Sequence, residues 1–126
     1  MNDRANEKRY SAAVQTPRDY YKSEDADNFY ALVRGGEDTQ VGLYDHPQED
    51  ICTASVRTNA VLAGQVPGLG TDKRVMDPGS GYGGALRYLA RDFGCFGIGF
   101  NVSERENERG RRQTVGFRLL SRISLP

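Results

Sequence analysis

The stretch Val75-Met76-Asp77-Pro78-Gly79-Ser80-Gly81-Tyr82-Gly83-Gly84 restricts the fold of this chain more than any other part of it. Arg74, Val75, Met76 and Asp77 read as a short strand that runs straight into a glycine cluster, after which Ala85, Leu86, Leu89 and Phe93 recur on one face of a helix. Glycine is required where a chain turns sharply from strand to helix with its backbone against a ligand, because a Cβ there would clash. A second strand is expected over 95–100. The intervening length, roughly two dozen residues, suits a crossover between parallel neighbours. The fold class is therefore α/β, with a parallel sheet and flanking helices. A turn without a ligand would also use glycine, but strand, loop and helix in this order favour a binding site.

The loop satisfies both GxGxxG and the tighter GxGxG spacing. A dinucleotide enzyme uses such a loop to seat a pyrophosphate on the helix N-terminus, with an acidic residue about 20 positions further on for the ribose. Here the second strand ends at Asn101, and an acid, Asp77, stands before the glycines. A carboxylate at that place repels a pyrophosphate and suits a ligand with an amino group, such as S-adenosylmethionine, which is thereby favoured over NAD.

The rest of the chain organises around this unit. Residues 1–19 are charged and aperiodic, with Pro17 near their end, and are expected to form a flexible arm. A helical cap is expected over 20–70. It comprises a helix over 23–34 stopped by Gly35 and Gly36, a loop over 37–44, and a helix opened by Pro47 whose face is Ile51, Ala54, Ser55, Thr58, Val61 and Leu62. Residues 71–116 then form the first half of the nucleotide-loop domain. Ser103 and Glu106 make a capping box for a last helix, charged nearly all round and interrupted by Gly110, which is expected to lie in solvent. Residues 117–126 are expected to be an unrelated or disordered tail. An open α/β sheet needs further strands and helices, so the domain reads as incomplete, cut off after its second strand.

Seventeen basic against seventeen acidic residues leave no net charge, which argues against a nucleic-acid or membrane partner. A polar N-terminus and the absence of a long apolar run imply a cytoplasmic chain. Cys52 and Cys95 show neither metal-ligand nor disulfide spacing and are expected to be buried small hydrophobes.

The loop motif from Val75 to Gly84 resembles the first motif of class I S-adenosylmethionine-dependent methyltransferases, and its Ser, Tyr and paired Gly are similar to sarcosine and dimethylglycine N-methyltransferases. Tyr20-Tyr21, the segment 23–30, Gly35-Gly36-Glu37-Asp38 and Val41-Gly42-Leu43-Tyr44 resemble the cap of that family, and Gly99-Phe100-Asn101-Val102-Ser103 resembles its segment after the second strand. The resemblance, from about residue 20 to 116, implies a Rossmann-like methyltransferase fold and S-adenosyl-L-methionine as cofactor. It places Asp77, Gly79, Ser80, Gly81, Tyr82, Gly83, Asn101, Val102 and Ser103 on that cofactor, with Tyr21 and Gln40 reaching it from the cap. Pro78, Arg34 and Gln40 depart from the family pattern, which has an aliphatic residue, Trp and His at those places.

Methyl transfer from a sulfonium to an amine is a direct displacement, so alignment is needed and no catalytic side chain is expected. Tyr20, Tyr21 and Tyr30 are candidates for an aromatic cage around the charge that moves to nitrogen, and Arg34 or Arg57 for a substrate carboxylate. His46, before Pro47, is expected to be exposed. The expected activity is methylation of a small amine, sarcosine or dimethylglycine, in betaine synthesis. Two rivals are a non-catalytic fragment that self-associates through an uncovered sheet, and an NAD-dependent oxidoreductase.

Overall fold

The computed structural model describes residues 11–23, 25, 28, 29, 32, 40–114, 116 and 119–123. Helix α1 (Ala12–Lys22) is followed by α2 (Ile51–Gly64), β1 (Arg74–Pro78), α3 (Gly84–Phe93), β2 (Phe96–Asn101), α4 (Glu104–Gln113) and β3 (Leu119–Ile123). The strands form one parallel sheet in the order β1-β2-β3. Met76 is opposite Ile98 and Pro78 opposite Phe100, while Asn101 at the end of β2 is opposite Ile123.

The strand, loop and helix expected at 74–93 are present. Helix α3 ends on Gly94, whose φ of 73° is a left-handed stop that glycine adopts at no steric cost. Its N–H reaches the Ala90 carbonyl at 3.1 Å.

Several expectations need correction. Ala12–Lys22 lies inside the arm expected over 1–19, yet it is helical, with Pro17 in its interior. Ala12, Ala13 and Gln15 are good helix formers, Gln15 donates to Asp19 one turn on at 2.6 Å, and the helix packs against α4. Helix α2 is opened by Asp50, not Pro47: the Asp50 carboxylate takes the Thr53 N–H at 2.9 Å and its hydroxyl at 2.6 Å.

The buried face of α2 also differs from the expected one. It consists of Ala54, Ser55, Asn59 and Ala63, while Val61 and Leu62 are exposed. Cys95 is buried as expected, but Cys52, on the outer side of α2, is exposed.

Helix α4 is not a solvent helix, for Glu106, Asn107 and Gly110 form a buried face. Gly110 does not interrupt it: a Cβ at that position would lie 2.9 Å from the Tyr82 carbonyl oxygen, so glycine lets α4 rest directly on the loop. The expected tail at 117–126 contains strand β3 over Leu119–Ile123, so the sheet continues one strand past the expected break. Of the helix expected over 23–34, Asp25, Asn28, Phe29 and Leu32 are helical, and the remaining positions other than Ser23 lie outside the described residues.

Candidate functional site

The loop between β1 and α3 places three glycines in the left-handed region: Gly79 at φ 82°, Gly81 at 53° and Gly83 at 80°. Side chains rarely adopt that conformation, which explains the glycines without reference to a ligand. The space beside Gly79 is open, with nothing within 4 Å of where a Cβ would stand.

The start of the loop is fastened to β2 through one carbonyl. Phe100 O accepts from Gly79 N at 2.7 Å, Ser80 N at 3.0 Å and Ser80 Oγ at 3.4 Å. Gly99 makes that approach possible, since a Cβ there would come within 2.7 Å of Ser80 Oγ. Asp77 and Asn101 are thereby set at the adjacent ends of two parallel strands, with the glycines between them.

A polar network holds Asn101. Its Nδ2 donates to the Glu106 carboxylate and, at 3.5 Å, to the carbonyl of the buried Gly81, while its Oδ1 accepts from Ser103 N at 3.3 Å. The Asn101 carbonyl accepts from the fully buried Asn107 Nδ2 at 2.9 Å. A carboxylate as buried as that of Glu106 requires donors of this kind. Behind the loop, buried Arg87 donates to the Tyr82 carbonyl at 2.6 Å and to Gln113 at 3.2 Å, tying the loop to the last turn of α4.

A cavity of about 280 Å³ opens between α2, β1 and α3; polar Gln40, Asn59 and Asp77 share its wall with apolar side chains including Val75 and Leu86. Gln40 reaches it from a strap, residues 40–45, that lies along α2. Gly42 permits the close approach, since a Cβ there would fall 2.5 Å from the Ala54 methyl. Arg57, expected as a possible substrate ligand, is instead engaged with Glu49 through its two terminal guanidinium nitrogens, each at 2.5 Å, and with the Leu43 carbonyl at 2.7 Å. The Arg57 hydrogen bond first, then the Asp45 N–H, hold the Glu49 carboxyl at about 2, well below its ordinary value.

Of the residues expected on a cofactor, Asp77, Gly79, Ser80, Gly81, Gly83 and Asn101 are brought together, Val102 follows half-buried, and Gln40 joins Asp77 in the cavity wall. Two of the remaining residues have buried side chains. The Tyr82 ring is fully buried, with the Arg109 guanidinium 5.0 Å from its centre, so its side chain packs the loop from behind. Ser103 is also fully buried and caps α4, its Oγ accepting from Glu106 N at 3.3 Å. Tyr20 is on α1, 56% exposed, and does not line the cavity. Tyr21 lies in α1 with its side chain outside the described residues, where Tyr30 and Arg34 lie entirely. His46 is exposed, as expected.

Sequence reasoning passed over Asn59, Glu106 and Asn107 as site residues. Asn59 had a signal, an amide one residue from Thr58 in the helical row; Glu106 was visible only as a capping partner.

A parallel sheet ordered β1-β2-β3, with a glycine loop closing β1 and an Asn closing β2, defines half of the Rossmann-like fold of class I methyltransferases. No family model matches the chain. Its sequence is 58% identical over 105 residues to a glycine/sarcosine/dimethylglycine N-methyltransferase of Actinopolyspora halophila, covering 83% of this chain and 18% of that protein. It is 52% identical over 100 residues to a sarcosine/dimethylglycine N-methyltransferase of Halorhodospira halochloris, covering 79% of this chain and 36% of that one. Among solved structures, a Galdieria sulphuraria protein assigned as a sarcosine dimethylglycine methyltransferase superposes with a TM-score of 0.73 at 35% identity, over 81% of this chain and 42% of that one. The chain thus resembles sarcosine/dimethylglycine N-methyltransferases through most of its own length, and spans well under half the length of these relatives.

Proposed function

We propose that the chain holds S-adenosylmethionine at the loop and serves methyl transfer to a small amine, sarcosine or dimethylglycine, as a step of betaine synthesis in the cytoplasm. The observation that carries this reading is the pairing of strand ends: Asp77 and Asn101 flank a loop of three left-handed glycines pinned to the Phe100 carbonyl. The residues fit the cofactor in charge and shape. A carboxylate suits an α-amino group, a carboxamide suits ribose hydroxyls, and the space beside Gly79 is open.

S-adenosylmethionine, when bound, supplies an electrophilic methyl on a sulfonium. The chain itself contributes binding and alignment. Asp77 would accept from the ammonium, Asn101, held by Glu106, would meet the ribose, and Val75 and Leu86 in the cavity wall would give the methionine side an apolar surface. None of its side chains forms a covalent bond.

Incubation with isotopically labelled S-adenosylmethionine and either sarcosine or dimethylglycine tests the activity. Label in the more highly methylated amine supports it, and label in neither amine refutes it.

A second reading, a non-catalytic piece that pairs with another chain, is favoured by the sheet edge. Among the described residues β1 has a neighbour only in β2, and Met76 on it is 63% exposed. Sedimentation would then show concentration-dependent association that Met76→Lys reduces. A sedimentation coefficient independent of concentration would exclude it.

A further inference from the structure

The strap at residues 40–45 touches the cavity through one residue, Gln40, and is held to α2 by a dense set of polar contacts. Ser55 Oγ donates to the Gln40 carbonyl at 3.2 Å. The Thr58 hydroxyl donates to the Val41 carbonyl at 2.7 Å and accepts from Leu43 N at 3.0 Å, a nitrogen that also reaches the Ala54 carbonyl at 3.0 Å. Arg57 takes the Leu43 carbonyl at 2.7 Å and pairs with Glu49, whose Oε2 accepts from Asp45 N at 2.8 Å.

These bonds come from consecutive turns of one helix, and they fasten the backbone of a segment that forms no secondary structure of its own. A loop so short is held in a single course only when its peptide groups find partners of this kind. Ser55 is buried and Thr58 half-buried. The one residue of the strap that faces the cavity shares its wall with Asp77, the acid at the mouth of the loop.

We infer that Ser55 and Thr58 are positioning residues for the cofactor site: their hydroxyls fix the strap on α2 so that the Gln40 carboxamide stands opposite Asp77, where bound S-adenosylmethionine meets it. The inference rests on the cofactor reading above. Neither hydroxyl touches the cofactor, and both act only through Gln40. Their removal therefore costs nothing further once the Gln40 side chain is gone, whereas a general loss of fold would add to that deletion.

The test combines amide hydrogen exchange with calorimetric titration of the full chain by S-adenosylmethionine, using wild type, Gln40→Ala, Thr58→Val, Thr58→Ser and the Gln40→Ala/Thr58→Val double variant. Thr58→Val is expected to speed exchange at Leu43 and weaken binding by about fivefold, the worth of one hydrogen bond. Thr58→Ser restores both, and Thr58→Val has no further effect on binding in the Gln40→Ala background. If Thr58→Val does not melt cooperatively, Ser55→Ala, which deletes the Gln40 carbonyl bond with little change of volume, takes its place with the Gln40 amide region as its exchange readout. Unchanged exchange, or equal losses in both backgrounds while wild type binds, overturns this inference alone. Absence of saturable binding by wild type overturns the cofactor reading and this inference with it.

Discussion

Replacing Gly110 by alanine sets two effects of opposite sign against each other. In an isolated helix the change is stabilising by about 0.8–1 kcal/mol, because alanine loses less backbone entropy than glycine. In this fold the new methyl meets backbone: the Tyr82 carbonyl oxygen at 2.9 Å, its carbon at 3.2 Å and the Tyr82 Cα at 3.6 Å. Ordinary contact requires roughly half an ångström more, and the loop cannot yield, since Arg87 holds the same carbonyl and Phe100 holds the start of the loop. Overpacking of this kind costs about 1–3 kcal/mol. The net expectation is destabilisation by about 1 kcal/mol, a fall in Tm of about 3–6 °C for a domain of this size. Thermal melts of wild type and Gly110→Ala by circular dichroism read it directly. A Tm raised by Gly110→Ala would mean that propensity wins, and that α4 does not rest on the loop as described.

The remaining predictions concern the strap and the polar network. A lowered carboxylate pKa contributes stability that is present above the unfolded value and lost as pH falls toward the folded one. With Glu49 held at about 2 against 4.5, the strap's anchorage is full at neutral pH and fails between pH 4.5 and about 2. An NMR titration of the Glu49 side-chain carboxyl should therefore show a midpoint near the lower value, and one at 4.5 would deny the pairing with Arg57. Asn101→Asp, which installs the acid common in other nucleotide-binding folds, would set a second carboxylate against that of Glu106. It should lower Tm, and adding Glu106→Gln should recover most of the loss; a tolerated Asn101→Asp on its own would contradict the network. Gly79→Ala meets no atom but must adopt a φ of 82°, so a loss of about 1 kcal/mol from strain alone is expected in denaturant unfolding.

The central unit was legible because its signals are local. Val75 and Met76 run into glycines that the turn itself requires, and Leu86, Leu89 and Phe93 keep helical spacing. What escaped depends on partners distant in sequence. Pro17 and its charged neighbours obscured α1, whose support includes α4 from the far end of the chain. The polar face of Glu106 and Asn107 reads as solvent-facing until Asn101 is known to be its partner. On α2, periodicity pointed to Val61 and Leu62, whereas the strap selects the small residues Ala54 and Ser55 for the inside. The five residues of β3, with Arg122 among them, carry little strand signal of their own and take their place from the ladder with β2. In the site, glycine spacing located the cradle, while the packing role of Tyr82 and the approach of Asn59 to the cavity required the arrangement of three elements.

The most direct test of the account is a calorimetric titration of the full chain with S-adenosylmethionine, with NAD as the comparison ligand. Asp77 beside the glycines and Asn101 at the end of β2 predict saturable binding of S-adenosylmethionine, no binding of NAD, and a Tm that rises with S-adenosylmethionine concentration. Preference for NAD, or no saturable binding of S-adenosylmethionine by a chain that melts cooperatively, would contradict it.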